Sequence, residues 1–340
     1  MSLKDKVLGI LEDNRGKSVS GNKIAASLGM TRSAIWKAVK QLREEGYTIT
    51  AVTNRGYCLT SENDILNEPS INSYLTTSAL GRKMDIFKTV DSTNSFAKSL
   101  AQLGTGHGHT VIAEQQTAGK GRQGKKFHSP VNQGLYMSVI VRPKLSLDHA
   151  LLITACAAVS VAKAIELVSG LDCKIKWVND IYVGGKKICG ILTEASVGIE
   201  QSGLDYAVIG IGVNVSNTLF PKELETVATS IRAETDKSVS RSRLAAEILN
   251  SLEYHMARIT GEELMDEYRR RSMLIGKRIT ILREETPEQV SCTGVDNMGR
   301  LLVRHDDGSE EALSSGSVLM EGEKPPEEAG DPETGNRIQG

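Results

Sequence analysis

The chain has 340 residues, of which 39% are hydrophobic and 24% charged, and a formal net charge of −1, the balance of a globular protein with two or three domains and sizeable cores. Five scattered cysteines (Cys58, Cys156, Cys173, Cys189, Cys292), with no CxxC or HExxH pattern, exclude a disulfide framework and a zinc site and read as reduced core residues. No apolar run is expected to reach the roughly 18 residues that span a bilayer, and the first 15 residues are charged, which points to the cytoplasm and to no membrane partner.

Charge is unevenly spread. Residues 1–60 carry ten Lys and Arg against five Asp and Glu, whereas residues 321–340 carry six acids against two bases. A polyanion-facing N-terminus and a solvated acidic tail follow. Val7, Leu8, Ile10 and Leu11 stand at helical spacing in residues 4–13. Ser20 can cap a second helix with Ile24, Ala25 and Leu28 on one face, and Gly29 permits a sharp turn. Thr31 can cap a third helix to about Glu45, with Ala34, Ile35, Ala38, Val39 and Leu42 as its buried stripe. Tyr47–Val52 and Gly56–Leu59 are strand-like and joined by Thr53-Asn54-Arg55-Gly56, a tight hairpin with Arg55 at its tip. Three helices and a basic-tipped hairpin make a winged helix, whose third helix is the candidate major-groove element. Arg32, Ser33, Lys37, Lys40 and Arg55 are its candidate DNA contacts, since several cations on one face are needed to displace counterions from phosphates. Trp36 reads equally as core or as a base contact.

A polar linker with one short helix over 71–75 leads to alternating strands and helices. Met84–Val90 is strand-like and is followed by Ser92, Thr93 and Asn94, which form either a helix cap or a polar ligand cluster. Thr110–Glu114 is the next strand, leading to Gln116 and then to Gly119-Lys120-Gly121-Arg122-Gln123-Gly124-Lys125-Lys126-Phe127. Glycine amides can approach an anion closely there while the cations neutralise it. Gly119-x-Gly121-x-x-Gly124 fits the dinucleotide fingerprint, but Phe127-His-Ser-Pro130 opens no helix, and Lys126 stands where a P-loop needs Ser or Thr. Neither common nucleotide fold is supported.

Leu135–Arg142 is a strand and Leu151–Val168 an Ala-rich buried helix. Between Lys174 and Glu194, two strands flank the Gly184-Gly185 turn, bringing Lys176, Asn179, Asp180 and Lys187 into a short apolar segment. Val208–Val215 is a strand punctuated by Gly210 and Gly212 and containing Asn214, suited to close backbone approach. Short strands at Gly276–Leu282, Val290–Val295, Leu301–His305 and Glu311–Leu313 close the chain, with turns at Asp296–Gly299 and Asp306–Gly308.

The order of these motifs resembles the biotin protein ligases: Ser92-Thr93-Asn94, the loop Gly119–Phe127, the Lys176–Asp180 segment with Lys187-x-x-Gly190, and Gly210-x-Gly212-x-Asn214. The basic winged helix in front is similar to the bifunctional bacterial kind, the biotin operon repressor. The resemblance implies an α+β chain: a winged helix-turn-helix over 1–62, a linker over 63–81, a mixed-sheet α/β ligase domain like class II synthetases over 82–270, a small SH3-like β-barrel over 271–320, and a tail over 321–340 of disorder-prone composition. It implies ATP-dependent formation of biotinyl-5'-AMP and transfer of biotin to a lysine of a carboxyl carrier protein. It further implies repression at operator DNA with the adenylate as corepressor and a ligand-promoted homodimer. Ser92, Thr93, Asn94, Gln116, Lys120, Gly121, Arg122 and Lys187 are the implied biotin contacts. Gly119, Lys120, Arg122, Lys176, Asn179 and Asn214 are the implied adenylate contacts. Lys120, Arg122, Asp180 and Lys187 are the implied catalytic set, with Asp180 either accepting a proton or orienting Lys187. Mg²⁺ enters with ATP rather than in a protein cage.

This chain departs from the family's usual loop, Gly-Arg-Gly-Arg-x-Gly-Arg-x-Trp. Lys120 and Lys125 stand at two of its arginines and Phe127 at its tryptophan, while Val178 replaces a proline before Asn179-Asp180. Lysine keeps the charge but lacks the planar fork of arginine. Three rivals remain. A lipoate ligase would show an Arg-Arg-x-Ser-Gly-Gly-Gly-like stretch, and a ligand-sensing regulator without chemistry would not need so many convergent charges. A ligase whose winged helix has lost DNA binding is the third.

Overall fold

The computed structural model describes residues 2–52, 55–60, 64–198, 203–283, 286–321 and 323. Thr53 and Asn54 of the expected hairpin tip, and the acidic tail apart from Glu321 and Glu323, lie outside these residues. Contacts divide the chain into two compact units, Met1–Met273 with Asn297–Gly299 and Leu274–Asp296 with Arg300–Gly340.

The first unit opens with α1 (Leu3–Asp13), α2 (Gly21–Leu28), α3 (Arg32–Glu44) and an antiparallel hairpin of β1 (Ile49–Val52) and β2 (Gly56–Leu59). Ser2 and Asp5 form a reciprocal capping box on α1, and Thr31 Oγ1 accepts the Ala34 N–H at the start of α3. Ile35, Val39 and Leu42 are sealed in a core shared with Leu8, Leu11 and Leu59. Burying each such side chain stabilises by roughly 1.5–3 kcal/mol, which outweighs the few tenths by which a β-branched residue disfavours a helix. Gly29 takes φ +64 and ends α2 as expected. Ser20 departs from expectation, because it makes no side-chain cap bond. Val19 exchanges both backbone bonds with Tyr57, so strand pairing sets the entry to α2. Tyr47 is not in a strand either; its N–H closes the end of α3 on Leu42 O.

The body follows with α4 (Glu68–Asn72), β3 (Met84–Phe87), α5 (Thr93–Gln102), β4 (Thr110–Ala113), β5 (Gly134–Val141), α6 (Ala150–Ser169), β6 (Lys174–Lys176), β7 (Asp180–Val183), β8 (Lys186–Val197), β9 (Leu204–Asn214), α7 (Ile231–Thr235), α8 (Arg241–Met256) and α9 (Glu262–Arg271). Helix α4 begins before the expected 71–75, because Asn67 caps it through the Ser70 N–H and Pro69 sits in its first turn. A seven-stranded mixed sheet runs in the order β3-β4-β5-β9-β8-β7-β6; β3 and β4 are parallel and the other neighbours antiparallel. Alternation along β8 assigns its two faces. Thr193 bonds to Thr154 of α6, whereas the neighbouring Glu194 bonds to Asn94 at the start of α5, so α6 and α5 cover opposite faces.

The stretch Leu147–Ser169 corrects one expectation, for it is long and apolar enough by composition to cross a membrane, though 67% of its most apolar window is buried inside the protein. Helix α6 packs between the sheet and α8, leaving Lys163 and Leu167 exposed, which explains a helix that is apolar over most of its surface. Ser160 on it returns its hydroxyl to Cys156 O at 2.7 Å. All five cysteines are free; Cys156, Cys173, Cys189 and Cys292 are buried and Cys58 is half-buried.

The second unit is an antiparallel sheet of β10 (Arg278–Arg283), β11 (Thr286–Val295), β12 (Leu301–Arg304), β13 (Glu310–Leu313) and β14 (Ser317–Met320), ordered β13-β12-β11-β10-β14. Ile279, Ile281, Val290, Leu301 and Val303 form its buried side.

Candidate active site and nucleic-acid interface

The four polar residues expected near one another converge where α5 begins. Ser92 is the N-cap of α5 and spends its hydroxyl on the Ser95 N–H at 3.4 Å, so here the capping reading holds. Thr93 and Asn94 do more than cap. The N–H and hydroxyl of Thr93 donate to Gln116 Oε1 at 2.9 and 3.1 Å, and Gln116 Nε2 donates to Ser129 Oγ at 2.9 Å. Ser138 of β5 lies 2.8 Å from Thr93 Oγ1 and donates to Asn94 Oδ1 at 2.7 Å. Asn94 Nδ2 donates to Glu194 Oε2 at 3.0 Å, and Lys98 Nζ reaches the other oxygen at 3.0 Å. Burial alone would raise the Glu194 carboxyl, but the bonds from Lys98 and Asn94, with the Lys98 and Lys120 charges, hold it below the usual carboxylate range. Ser129, Ser138 and Glu194 complete this network; Ser138 is a single hydroxyl in an apolar strand, and nothing in the spacing of Ser129 or Glu194 marks either of them in the sequence.

Beside this network stands the glycine-basic loop, folded as a narrow hairpin. Lys120 pairs with Lys126, Gly121 N–H donates to Lys125 O at 2.7 Å, and Phe127 N–H donates to Gly119 O at 2.9 Å. Gln123 at φ +53 and Gly124 at φ +73 turn the tip. No helix follows Phe127, as the sequence required, and the chain runs on to β5. Gly119 is buried, and a Cβ there would lie 2.7 Å from both Phe127 O and Ser129 Oγ. Lys120 is exposed, while Gly121 and Arg122 are half-buried.

The floor beneath this loop is a row of glycines. Gly190 of β8 pairs with Gly212 of β9, which pairs with Tyr136 of β5, so all three share one face. The ring of Phe127 lies over both glycines, and a Cβ at Gly210 would overlap the Asn94 carboxamide. A Cβ at Gly212 would overlap the ring as well, whereas at Gly190 it would meet Phe127 at 3.2 Å and Lys187 at 3.3 Å, tight but not closed.

The β6–β7–β8 segment brings in the remaining charges. Arg122 Nη1 donates to Asn179 Oδ1 at 3.2 Å, and Asn179 Nδ2 donates to Ile191 O at 2.6 Å. Lys187 Nζ and Asp180 Oδ1 pair at 2.7 Å, with 34% and 22% of the side chains exposed. Lys187 also lies along Gly190. Lys176 is buried with Nζ 5.7 Å from the Tyr182 ring, and Asn214 donates its amide to Thr229 O at 3.0 Å. The expected residues therefore form two linked groups, with Arg122–Asn179 as the bridge. The neutral hydroxyl and amide cluster suits a polar uncharged ligand head, and the cations beside it suit anions.

On the winged helix, Arg32, Ser33, Trp36, Lys37, Lys40 and Arg55 are all exposed. Trp36 is 54% exposed, which removes the core reading, and Lys40 Nζ lies 5.9 Å from its ring centroid. Lys40 also faces Glu44 at 3.8 Å, and the Ser33 and Thr31 hydroxyls lie 3.0 Å apart.

Three family models match in chain order: an HTH domain over residues 4–58, the biotin/lipoate A/B protein ligase family over 86–214, and the biotin protein ligase C-terminal domain over 274–320. The bifunctional ligase/repressor BirA of Bacillus subtilis is 36% identical over 250 residues, covering 73% of this chain and 76% of that protein. The Escherichia coli protein of the same name is 26% identical over 295 residues, covering 86% and 89%. Among solved structures, the Aquifex aeolicus biotin protein ligase in complex with biotin and ATP has a TM-score of 0.61 at 26% identity, over 70% of this chain and 99% of that one. Matched domains, shared length and the composition of the site agree: the chain belongs to the biotin protein ligase family.

Proposed function

We propose that this protein joins biotin to ATP as biotinyl-5'-AMP, transfers the biotinyl group to a lysine of a carboxyl carrier protein, and represses biotin genes from operator DNA with the adenylate as corepressor. One observation carries the reading. The Thr93–Gln116–Ser138–Asn94 network stands against the glycine-basic hairpin, whose Arg122 reaches Asn179 beside the Lys187–Asp180 pair. A ring of hydrogen-bonding groups for an uncharged bicyclic head is thus continuous with cations for a carboxylate and a phosphate.

The biotin carboxylate is ionised near neutral pH, so its attack on the α-phosphorus needs no base; it needs two anions brought together. Lys120, Arg122 and Lys187 supply fixed positive charge for this, and Gly119 and Gly121 let the two sides of the hairpin pack closely, the Gly121 N–H being taken by Lys125 O. Ser92, Thr93, Asn94 and Gln116 hold the ring, Ser92 by starting the helix that presents Thr93 and Asn94. Lys176, Asn179 and Asn214 line the nucleotide side. Magnesium would enter on the nucleotide phosphates; among the described residues no three His, Cys, Asp or Glu side chains gather to hold a metal.

Transfer requires the acceptor lysine, with an unperturbed pKa of about 10.4, to lose a proton. Asp180 has two readings here, and its 2.7 Å pairing with Lys187 favours the orienting one. The ligase body belongs with class II synthetases in this reading, and the five-stranded unit is an SH3-like barrel. Domain limits fall at 1–62, 82–270 and 271–320. A homodimer promoted by the adenylate would set two winged helices on two half-sites, with Arg32, Ser33, Trp36, Lys37, Lys40 and Arg55 facing DNA.

The test is direct. The protein is incubated with biotin, ATP, Mg²⁺ and a biotin-carrier domain, and the carrier is weighed by mass spectrometry. Biotinylation of one lysine is expected; an unmodified carrier, with no adenylate formed, would end the reading.

A further inference from the structure

One of the bulkiest side chains sealed inside the described residues is a cation that the chemistry above does not use. Arg241, the first residue of α8, is 1% exposed. Its backbone N–H and Nε donate to the two carboxylate oxygens of Asp64, each at 2.7 Å, and Nη2 donates to Asp64 O at 2.6 Å. Nη1 donates to Glu114 Oε2 at 2.5 Å and to Gly134 O at 3.2 Å. Burial would lower its pKa, but Asp64 and Glu114 raise it above the ordinary arginine value, so it remains a cation.

The placement of these partners is informative. Glu114 directly follows β4 and Gly134 begins β5, so one guanidinium grips both roots of segment 115–133, which carries Gln116, Lys120, Arg122 and Phe127. Asp64 belongs to the connection that leaves the winged helix. The same connection is held twice more, by Leu66 N–H on Glu114 Oε1 at 3.2 Å and by Ser242 Oγ on Ile65 O at 3.4 Å. Further along it, Ser70 of α4 donates to buried Glu12 of α1, which also accepts from Arg15.

A buried ion pair is weak support for stability, because an apolar replacement of similar volume is often as stable or more so. What a planar fork with five donors gives is direction, since it holds several acceptors at fixed angles. A small rotation at the roots of a hairpin becomes a larger displacement at its tip, where a misplacement of about 1 Å can cost about 10²-fold in rate.

We infer that Arg241 is a positioning residue for the ligation: it sets the stance of segment 115–133, and through Asp64 it ties that stance to the connection from the winged helix. The kinetic part of the inference rests on the ligase reading above; the structural part does not. The full chain is compared with Asp64→Ala, Arg241→Lys and Arg241→Met.

Without ligand, trypsin cleavage at Lys120, Arg122, Lys125 and Lys126 is timed against cleavage elsewhere. Asp64→Ala and Arg241→Met are expected to speed loop cleavage about fivefold, with Arg241→Lys between them and the unaltered chain. With biotin and ATP, both are expected to raise KM for biotin and the rate of adenylate escape about tenfold and to lower saturating kcat together with them. A smaller folded fraction would instead lower kcat alone. Unchanged cleavage with unchanged KM, or a fall in kcat alone, overturns the inference. If Arg241→Met does not fold, Asp64→Ala decides by itself, because its side chain is 28% exposed and its loss leaves a wetted gap. An unaltered chain that makes no adenylate would overturn the ligase reading, and the trypsin comparison would still judge the clamp.

Discussion

Phe127 lies over Gly212 so closely that a Cβ on the glycine would sit 2.5 Å from the edge of the ring. The ring is the last residue of the glycine-basic hairpin, so its seat fixes how the hairpin meets the sheet. Gly212→Ala should therefore unseat the loop without unfolding β9. We expect kcat/KM for biotin to fall by about 10²-fold, the scale of a misplaced catalytic loop, while Tm changes by only a few degrees. A variant with near-normal kcat/KM would show that the ring can move aside at no cost.

Arg122 joins the hairpin to Asn179, which places its charge between the two halves of the site. Arg122→Gly should cost about 10²–10³ in adenylation rate, as the loss of a fixed electrostatic contact does elsewhere, and should speed escape of the adenylate into solution. Rapid-filtration measurement of adenylate release is the check, and an unaltered release rate would count against a shielding loop.

The pairing of Asp180 with Lys187 separates two roles for the carboxylate. If it orients Lys187, Asp180→Asn should slow adenylate formation about tenfold or more and leave the pH profile of transfer unchanged. If it accepts the proton, adenylate formation should be normal and transfer should steepen with pH. Single-turnover kinetics of each half-reaction from pH 6 to about 9 decide, and we expect the first pattern.

Glu253 of α8 accepts the N–H groups of Ser78, Ala79 and Leu80 at 2.6, 2.8 and 2.9 Å. Burial alone would raise this carboxyl, but the three amides hold it below its ordinary 4.5. With the folded pKa depressed, the folded state binds fewer protons, so the contribution is complete above 4.5 and disappears as pH falls through the lower folded value. Glu253→Gln should cost about 1–3 kcal/mol at neutral pH, with the gap to the unaltered protein closing in acid. Denaturant melts across pH measure it, and a pH-independent gap would contradict the linkage.

On the winged helix, Lys37→Ala and Arg55→Ala should each reduce the slope of log K against log salt by about 0.9 on duplex DNA, the signature of one lost phosphate contact. Trp36→Ala should weaken binding and leave the slope unchanged, since an uncharged ring displaces no counterion. Equal slopes for all three variants and the unaltered chain would remove this face from the interface.

Much of this was legible in the residues because the signals were local. Thr31, Gly29 and the Ile35–Val39–Leu42 stripe mark α3 through caps and periodicity. Gly184 and Gly185, both at positive φ, mark the β7–β8 hairpin. The glycine-basic loop announced itself by composition. What escaped depends on contacts far apart in the chain. Met84–Val90 reads as one strand, yet β3 ends at Phe87 and Val90 pairs separately with Gln116. Ser138 is one hydroxyl in an apolar strand, and only the fold shows that Asn94 and Thr93 face it. Arg241 sits in a polar run that looks like surface, and nothing short of burial distinguishes it. Helices α7, α8 and α9 and strand β14 carried no motif that set them apart.

The distribution of the thiols has a practical side. Burial pushes Cys173 up to about 12 and Cys292 to about 11, and raises Cys156 and Cys189 further still. The thiolate is the reactive form, so these four stay inert at neutral pH. Cys58, half-buried on β2, is left as the accessible sulfhydryl. A maleimide dye added to the native protein would label the hairpin of the winged helix alone, giving a fluorescent test of whether duplex DNA docks there with no cysteine removed.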